Sequence, residues 1–263
     1  MASRIYIFLI VILVTAIIAL AGLFYWSFVK TQDKLNNVPN ESAQNYSNLP
    51  STEKEIATTS PPFVVNGEIS RANPAKKQVI FTFDAGAGTN SLQKILEVTK
   101  QHNVNVTFFS TGKFAETNPE LIKQISSDGH EIFNHTYSHL HLTQLTDQEI
   151  KDELDKTEQI ISGLIGRSTK PYFRPPYGDR NAHVLEIAAQ EGYQSVFWSC
   201  DALDWMVGQT EQQVKDKIYS CEKPGAIILM HVGDDITGSI LDEVFTKIEN
   251  DGYQIISLTT SLN

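Results

Sequence analysis

Cysteine is scarce in this chain: Cys200 and Cys221 are the only two, and neither lies in a Cys-x-x-Cys pair or a Cys/His cluster. Thiol-ligated metal centres and dithiol redox catalysis are thereby excluded, while a single disulfide stays open. Runs of cationic residues are missing as well. With 21 Lys and Arg against 31 Asp and Glu, the formal charge of −10 argues against a polyanion-binding surface, and no nucleic-acid partner is expected. The glycine-rich stretch Gly86 to Gly88 lacks the lysine that a phosphate-binding loop requires. Long apolar runs are absent too, with one exception at the amino terminus.

That exception is Ile5 to Val29, which carries no charged residue. At about 1.5 Å per residue it exceeds a hydrocarbon core of about 30 Å, so residues 1–30 are expected to be an uncleaved, single-pass membrane anchor. A signal peptide cleaved near Ala19-Leu20-Ala21 is the rival reading, but the apolar run continues through Leu23 to Trp26. Residues 31–74 turn to Asn, Ser, Thr, Pro and Gln and are expected to form a flexible linker. Within it, Phe63 to Ile69 could add an edge strand or cover part of the domain that follows. Residues 75–263 are then one catalytic domain placed outside the cytoplasm.

Beyond Lys77, apolar runs alternate with amphipathic helical stretches. Strands are expected near 78–84, 105–110, 130–134, 172–174, 194–198, 226–230 and 254–257. The helix after Thr146 is the clearest, because Thr146 and Glu149 make a capping box and Ile150, Leu154, Ile160, Ile161 and Leu164 supply an apolar stripe. Seven strands with helical crossovers imply an α/β fold with a mostly parallel sheet. An open doubly wound sheet and a closed barrel both satisfy the pattern, and both gather ligands at the carboxy ends of strands.

Polar residues fall at those ends. Asp84 ends the first strand, His135 and His139 follow the third, and Arg174 ends the fourth. Asp201 and Asp204 follow the fifth, and His231 ends the sixth. Singly, each has an ordinary reading: a helix cap, a turn, a surface cation, a satisfied core histidine. Five strands aiming such groups at one rim point to a catalytic site. The paired histidines suggest a metal. The helical His-Glu-x-x-His zinc motif does not fit, since Thr136 follows His135 and the pair sits on a loop leaving a strand.

Five stretches in this order resemble the motifs of the polysaccharide deacetylases, the NodB-homology domains of carbohydrate esterase family 4. They are Phe81-Thr-Phe-Asp84, His135-Thr-Tyr-Ser-His139, Arg174-Pro-Pro-Tyr-Gly178, Asp201-Ala-Leu-Asp-Trp205 and Leu229-Met-His231. The resemblance implies a distorted (β/α)7 barrel and metal-dependent removal of acetyl groups from N-acetylated sugars of peptidoglycan or a chitin-like polymer. It implies a divalent metal, most naturally zinc, on His135 and His139, with Asp84 as general base and Arg174 as its orienting partner through a bidentate contact. The backbone N–H of Tyr177 would stabilise the oxyanion. His231 would be the general acid, oriented by Asp204 or, as a weaker candidate, Asp201. Trp205 and Leu229 would wall the acetyl methyl.

One position departs from the family pattern. Ala85 stands where a second aspartate usually ligates the metal, leaving two protein ligands, with Asn134, Ser110 and Asp84 as candidates to fill the gap. A glycan-binding relative impaired in catalysis and a carbohydrate O-acetyl esterase are the alternatives.

Overall fold

The computed structural model describes residues 63–65 and 67–263. The anchor expected at 1–30 and most of the linker expected at 31–74 lie outside these residues. Among the described residues, no helix is long and apolar enough to cross a membrane.

Strand β3 (Gln78–Ala85) is the axis of the fold, and its pattern shows why. Val79, Phe81, Phe83 and Ala85 all enter one apolar cluster beneath the helices. The alternate Ile80 joins a second, inner cluster with Phe109, Phe133, Val196, Ile227 and Leu258. A strand buried on both faces is the signature of a parallel sheet covered by helices. On one side β3 pairs in parallel with β9 (Ala226–His231), and on the other with β4 (Thr107–Ser110). The wall continues through β5 (Glu131–Asn134), β6 (Tyr172–Phe173) and β7 (Gln194–Ser195).

From β7 the chain swings back towards β9. Val196 bridges Ile69, and β8 (Cys200–Asp201) then pairs with β9. The strand expected over 194–198 is thus broken in two, because its second half changes neighbours to bring the wall nearly full circle. Closure is completed by β2 (Glu68–Arg71), which pairs antiparallel with β1 (Phe63–Val65) and touches β9 at Arg71 and Ala226. Residues 68–71 fall inside the stretch expected as linker; the edge strand expected within it at Phe63 to Ile69 is present as β1 and the start of β2, and the pair belongs to this sheet. The short β10 (Gln254–Ile255) pairs with the start of β3.

Helices α1 (Leu92–Gln101), α2 (Gly112–Thr117), α3 (Pro119–Ser127), α4 (Asp147–Ile165), α5 (Ala182–Gln190), α6 (Glu211–Ser220) and α7 (Asp235–Asn250) cover the outside. The capping box at Thr146 and Glu149 is formed, and α4 stops at Gly166, whose φ of 68° suits a left-handed cap. The last helix, α8 (Leu258–Leu262), closes the amino end of the barrel. There Leu258 N donates to Thr107 Oγ1, and Glu131 accepts from Ser257 and Thr259. With that end covered by α8, the strand ends at the carboxy rim line a cleft.

Candidate active site

Asp84 and His231 are register partners on the adjacent strands β3 and β9, so both side chains emerge at the same level of the rim. They line a cleft of about 660 Å³, shared with His135, His139, Tyr177, Trp205 and Leu229. The sequence-predicted residues are brought together with two exceptions, Arg174 and Asp204, which stand behind this wall rather than in it.

Arg174 is wholly buried, its guanidinium over the Phe109 ring at 4.1 Å. Its contact with Asp84 is single, not the expected two-pronged fork: Nη1 donates to Asp84 Oδ1 at 2.8 Å. The other donors are drawn off by the barrel itself, Nε to Val196 O at 3.1 Å and Nη2 to Phe197 O at 3.4 Å. Nη1 also reaches Thr82 Oγ1 at 3.0 Å. Thr82 sits two residues before Asp84 and so on the same strand face, a signal that period-2 reasoning could have used. Burial works to raise the Asp84 pKa, but Arg174, then His135 and His231, outweigh it and hold the carboxyl below its usual range.

Asp204 is buried and holds His231 from two directions. Its Oδ1 lies 2.9 Å from His231 Nδ1, and its Oδ2 accepts from His231 N at 2.7 Å and from Thr237 Oγ1 at 2.6 Å. This leaves Nε2 as the nitrogen available to the cleft. Burial pulls the imidazolium down, yet the Asp204 hydrogen bond and the charges of Asp204, Asp84 and Asp201 prevail, and the pKa is raised. Asp201 itself is engaged elsewhere, by Leu203 N at 2.9 Å and Trp205 Nε1 at 3.4 Å. Between the two aspartates offered by the sequence, Asp204 is the one hydrogen-bonded to His231. Thr237, on α7, was not legible in advance because its partner is 33 residues away.

His135 Nδ1 lies 2.8 Å from Arg174 O, which fixes the proton there and turns Nε2 to the cleft, 3.4 Å from Asp84 Oδ2. His139 packs edge-on to His135 at 4.9 Å. Burial, with His135 beside it, pushes its pKa down to about 4, so it is a neutral imidazole in the ordinary pH range. Asn134 and Ser138 shape this loop. Asn134 Oδ1 accepts from Thr136 N while its Nδ2 donates to Leu154 O and Tyr193 Oη, and Ser138 N donates to Glu153.

Two neutral, oriented imidazoles fit two positions of a divalent ion. They do not make the three-protein-ligand set of a catalytic zinc site. Ala85 is fully buried among Phe81 and Phe83 and offers no donor. The Asn134 amide is spent on the loop, and Ser110 Oγ donates to Thr111 O. Of the three residues expected to fill the gap, only Asp84 retains an oxygen near the histidines. Among the described residues, no group of three His, Cys, Asp or Glu is placed to hold a metal.

The loops carry strain. Thr136, His139, Tyr177 and Leu203 have positive φ without being glycine, and Asn103 is the one further case among the described residues. Such conformations cost about 1–3 kcal/mol each and persist where surrounding structure enforces them. Tyr177, at φ 57° and ψ 5°, is 63% exposed, with His141 stacked on its ring at 4.2 Å. Trp205 is 53% exposed and Leu229 buried. The sequence reading missed Trp198 and Asp234, which also line the cleft.

Comparison with known proteins places this geometry. Residues 71–196 match the family model for polysaccharide deacetylase. The chain is 36% identical over 188 residues to a peptidoglycan-N-acetylmuramic acid deacetylase of Bacillus subtilis, covering 71% of this chain and 72% of that one. It is likewise 36% identical over 187 residues to a peptidoglycan-N-acetylglucosamine deacetylase of Bacillus cereus, covering 70% and 67%. Among solved structures it resembles a carbohydrate esterase family 4 pseudoenzyme from Bacillus anthracis, with a TM-score of 0.72, 31% identity and coverage of 76% and 70%. The five ordered motifs, the nearly closed barrel and these matches agree, and the chain belongs to the polysaccharide deacetylase family.

Proposed function

We propose that this chain hydrolyses the acetyl amide of N-acetylated sugars in a cell-envelope glycan, peptidoglycan or a chitin-like polymer. The observation that carries this reading is the opposed pair at the rim: Asp84, its pKa held below the usual carboxylate range, and His231, its pKa raised by Asp204, on register-paired residues of β3 and β9, facing one cleft. Environments that push two titratable groups apart assign the base and the acid. Asp84 takes a proton from water, and the resulting hydroxide adds to the acetyl carbonyl carbon. The oxyanion is stabilised by the backbone N–H of Tyr177. His231 Nε2 gives its proton to the amide nitrogen as the C–N bond breaks, leaving acetate and a free amine, while Asp204 keeps the imidazolium oriented. Trp205 and Leu229 enclose the acetyl methyl.

A divalent ion, zinc in our reading, would be held by His135 and His139 and would polarise the carbonyl and acidify the water. A binding relative weakened in catalysis is the second reading, favoured by Ala85 and by the likeness to a family pseudoenzyme. Release of free amine from N-acetylglucosamine oligomers, set against pull-down on the same oligomers, separates the two.

The proposed location is the outer face of the cell membrane, with residues 5–29 as anchor. Its support is the uncharged run from Ile5 to Val29 and the Cys200–Cys221 disulfide, a bond that persists in oxidising compartments. External protease applied to intact protoplasts should cleave within residues 31–62; protection of that stretch overturns the placement.

A further inference from the structure

Behind the turn that carries Tyr177 stands an ion pair that the chemistry above does not use. Glu68 of β2 is buried, and Arg180 grips its carboxylate in a two-pronged fork, Nε donating to Oε2 and Nη2 to Oε1, both at 2.7 Å. Ser195 Oγ on β7 donates to the same carboxylate at 2.8 Å. The remaining arm of the guanidinium reaches the turn itself, Nη1 donating to Gly178 O at 3.0 Å. Its Cζ lies 3.5 Å from the centre of the Phe197 ring, and that ring stacks at 3.9 Å on Trp198, which lines the cleft. Gly178 is pressed onto the same two rings, since a Cβ there would meet Phe197 at 2.7 Å and Trp198 at 2.9 Å. One guanidinium thus joins the turn and its aromatic floor to the strand that completes the barrel.

We propose that Glu68 and Arg180 are positioning residues for the Tyr177 turn, holding the Tyr177 N–H where the oxyanion forms. The inference rests on the deacetylase reading and adds a residue from outside the segment matched to the family, which begins at residue 71. Tyr177 has a φ of 57°, a left-handed conformation that a side-chain-bearing residue keeps only under an outside hold. The turn's own bonds, Gly178 N to Pro175 O at 3.1 Å and Asp179 N to Pro176 O at 2.8 Å, are local and do not anchor it. Asp179 ties it to the loop after His139 by accepting from Thr143 N and Oγ1, and Arg180 ties it to the barrel. An oxyanion donor acts where charge develops in the transition state, so a displaced turn costs turnover more than substrate binding. Lysine at position 180 keeps the charge but loses both the fork and the stack on Phe197.

The test takes the full chain as wild type, Glu68→Gln, Arg180→Lys and the milder Ser195→Ala through two readouts. Hydrogen exchange followed by mass spectrometry compares the amides of Gly178 and Asp179 with those of α4. Amine release from N-acetylglucosamine oligomers with zinc present gives kcat and KM per folded molecule, the folded fraction being taken from circular dichroism. In Glu68→Gln and Arg180→Lys, exchange at the turn is expected to quicken about tenfold with α4 unchanged, and kcat to fall about tenfold with KM within about twofold. Ser195→Ala removes one of the three bonds to the carboxylate and should lie between these and wild type. The double variant at 68 and 180 should lose no more than the worse single one, because the two act as a unit. Turn exchange equal to wild type overturns the proposal even where Tm falls, since the pair then only closes the barrel; faster exchange with kcat unchanged overturns it too. If both stronger variants fail to fold, Ser195→Ala carries the same comparison. No amine from wild type sinks the deacetylase reading, and exchange then decides the bracing by itself: quickening confined to the turn supports it, and none overturns it.

Discussion

Burial opposes the charge of Asp84, and Arg174 foremost, with His135 and His231, holds its carboxyl below the usual range, so its ionisation leans on these neighbours. Asp84→Asn and His231→Ala should each lower turnover about 100-fold or more, the scale of positioned proton transfer, with circular dichroism unchanged. Wild-type rates from either variant would remove that residue from the chemistry. Asp204 raises the pKa of His231, so the acid form persists to higher pH in the wild type. In Asp204→Asn that carboxylate is gone, and the alkaline limb of the pH–rate profile should move to lower pH; an unmoved limb would deny the coupling. Ala85→Asp is informative in two ways, because position 85 packs with Phe81 and Phe83. Without metal the buried carboxylate should lower Tm, and with zinc Tm should recover and calorimetric affinity rise above wild type. Unchanged affinity would mean that another group already completes the site. Asp84, His135, Arg174 and His231 were legible because each ends or directly follows a strand. Thr237 and Asp234 were not singled out, since common residue types reveal a role only when the fold supplies their partners; Thr82 was passed over although it shares the strand face of Asp84.

At the level of elements, α4 and its cap were readable because the Thr146–Glu149 box and the apolar stripe are local. The break between β7 and β8 was not, for it depends on Val196 meeting Ile69 more than a hundred residues earlier. The glycine stretch after β3 finds its reason here as well. A Cβ on Gly233 would lie 1.7 Å from Ala87 O, so the turns following β3 and β9 pass backbone to backbone at the cleft wall. Gly233→Ala should destabilise the fold by about 2 kcal/mol or more, a cost in the range of forced overpacking, and should impair catalysis as the wall shifts. An unaffected denaturation midpoint would contradict that packing. On the far side, His102 at the end of α1 lies 2.8 Å from Glu249 and 3.1 Å from Asp242 of α7. Burial opposes its charge, but the two carboxylates prevail and raise its pKa. The stabilisation is therefore complete below the unfolded value of about 6.5 and is lost as pH rises through the higher folded value. His102→Gln should cost about 1 kcal/mol or less at pH 5 and less still at pH 9, read from urea melts.

For the whole molecule, the Cys200–Cys221 disulfide ties the strand leading to Asp201 and Asp204 to the end of α6. Closing a loop of this length stabilises by about 3 kcal/mol in the chain-entropy account, so reduction should lower Tm by several degrees. An unchanged melt under reductant would show the bond to be dispensable. The barrel itself was half legible: strand positions followed from the apolar runs, but those runs fit an open sheet equally well. Closure required β2, which lies in the stretch that reads by composition as linker and only partly within the edge strand expected at Phe63 to Ile69. It is closure that brings the ends of β3, β5, β6 and β9 round a single cleft, and on that the functional account depends. The most direct test is free amine and acetate released from N-acetylglucosamine oligomers, measured for wild type, Asp84→Asn and His231→Ala across a titration of divalent metal. The account predicts equal amounts of amine and acetate from wild type and near-total loss in both variants; oligomers bound by wild type with no amine released at any metal concentration would contradict it.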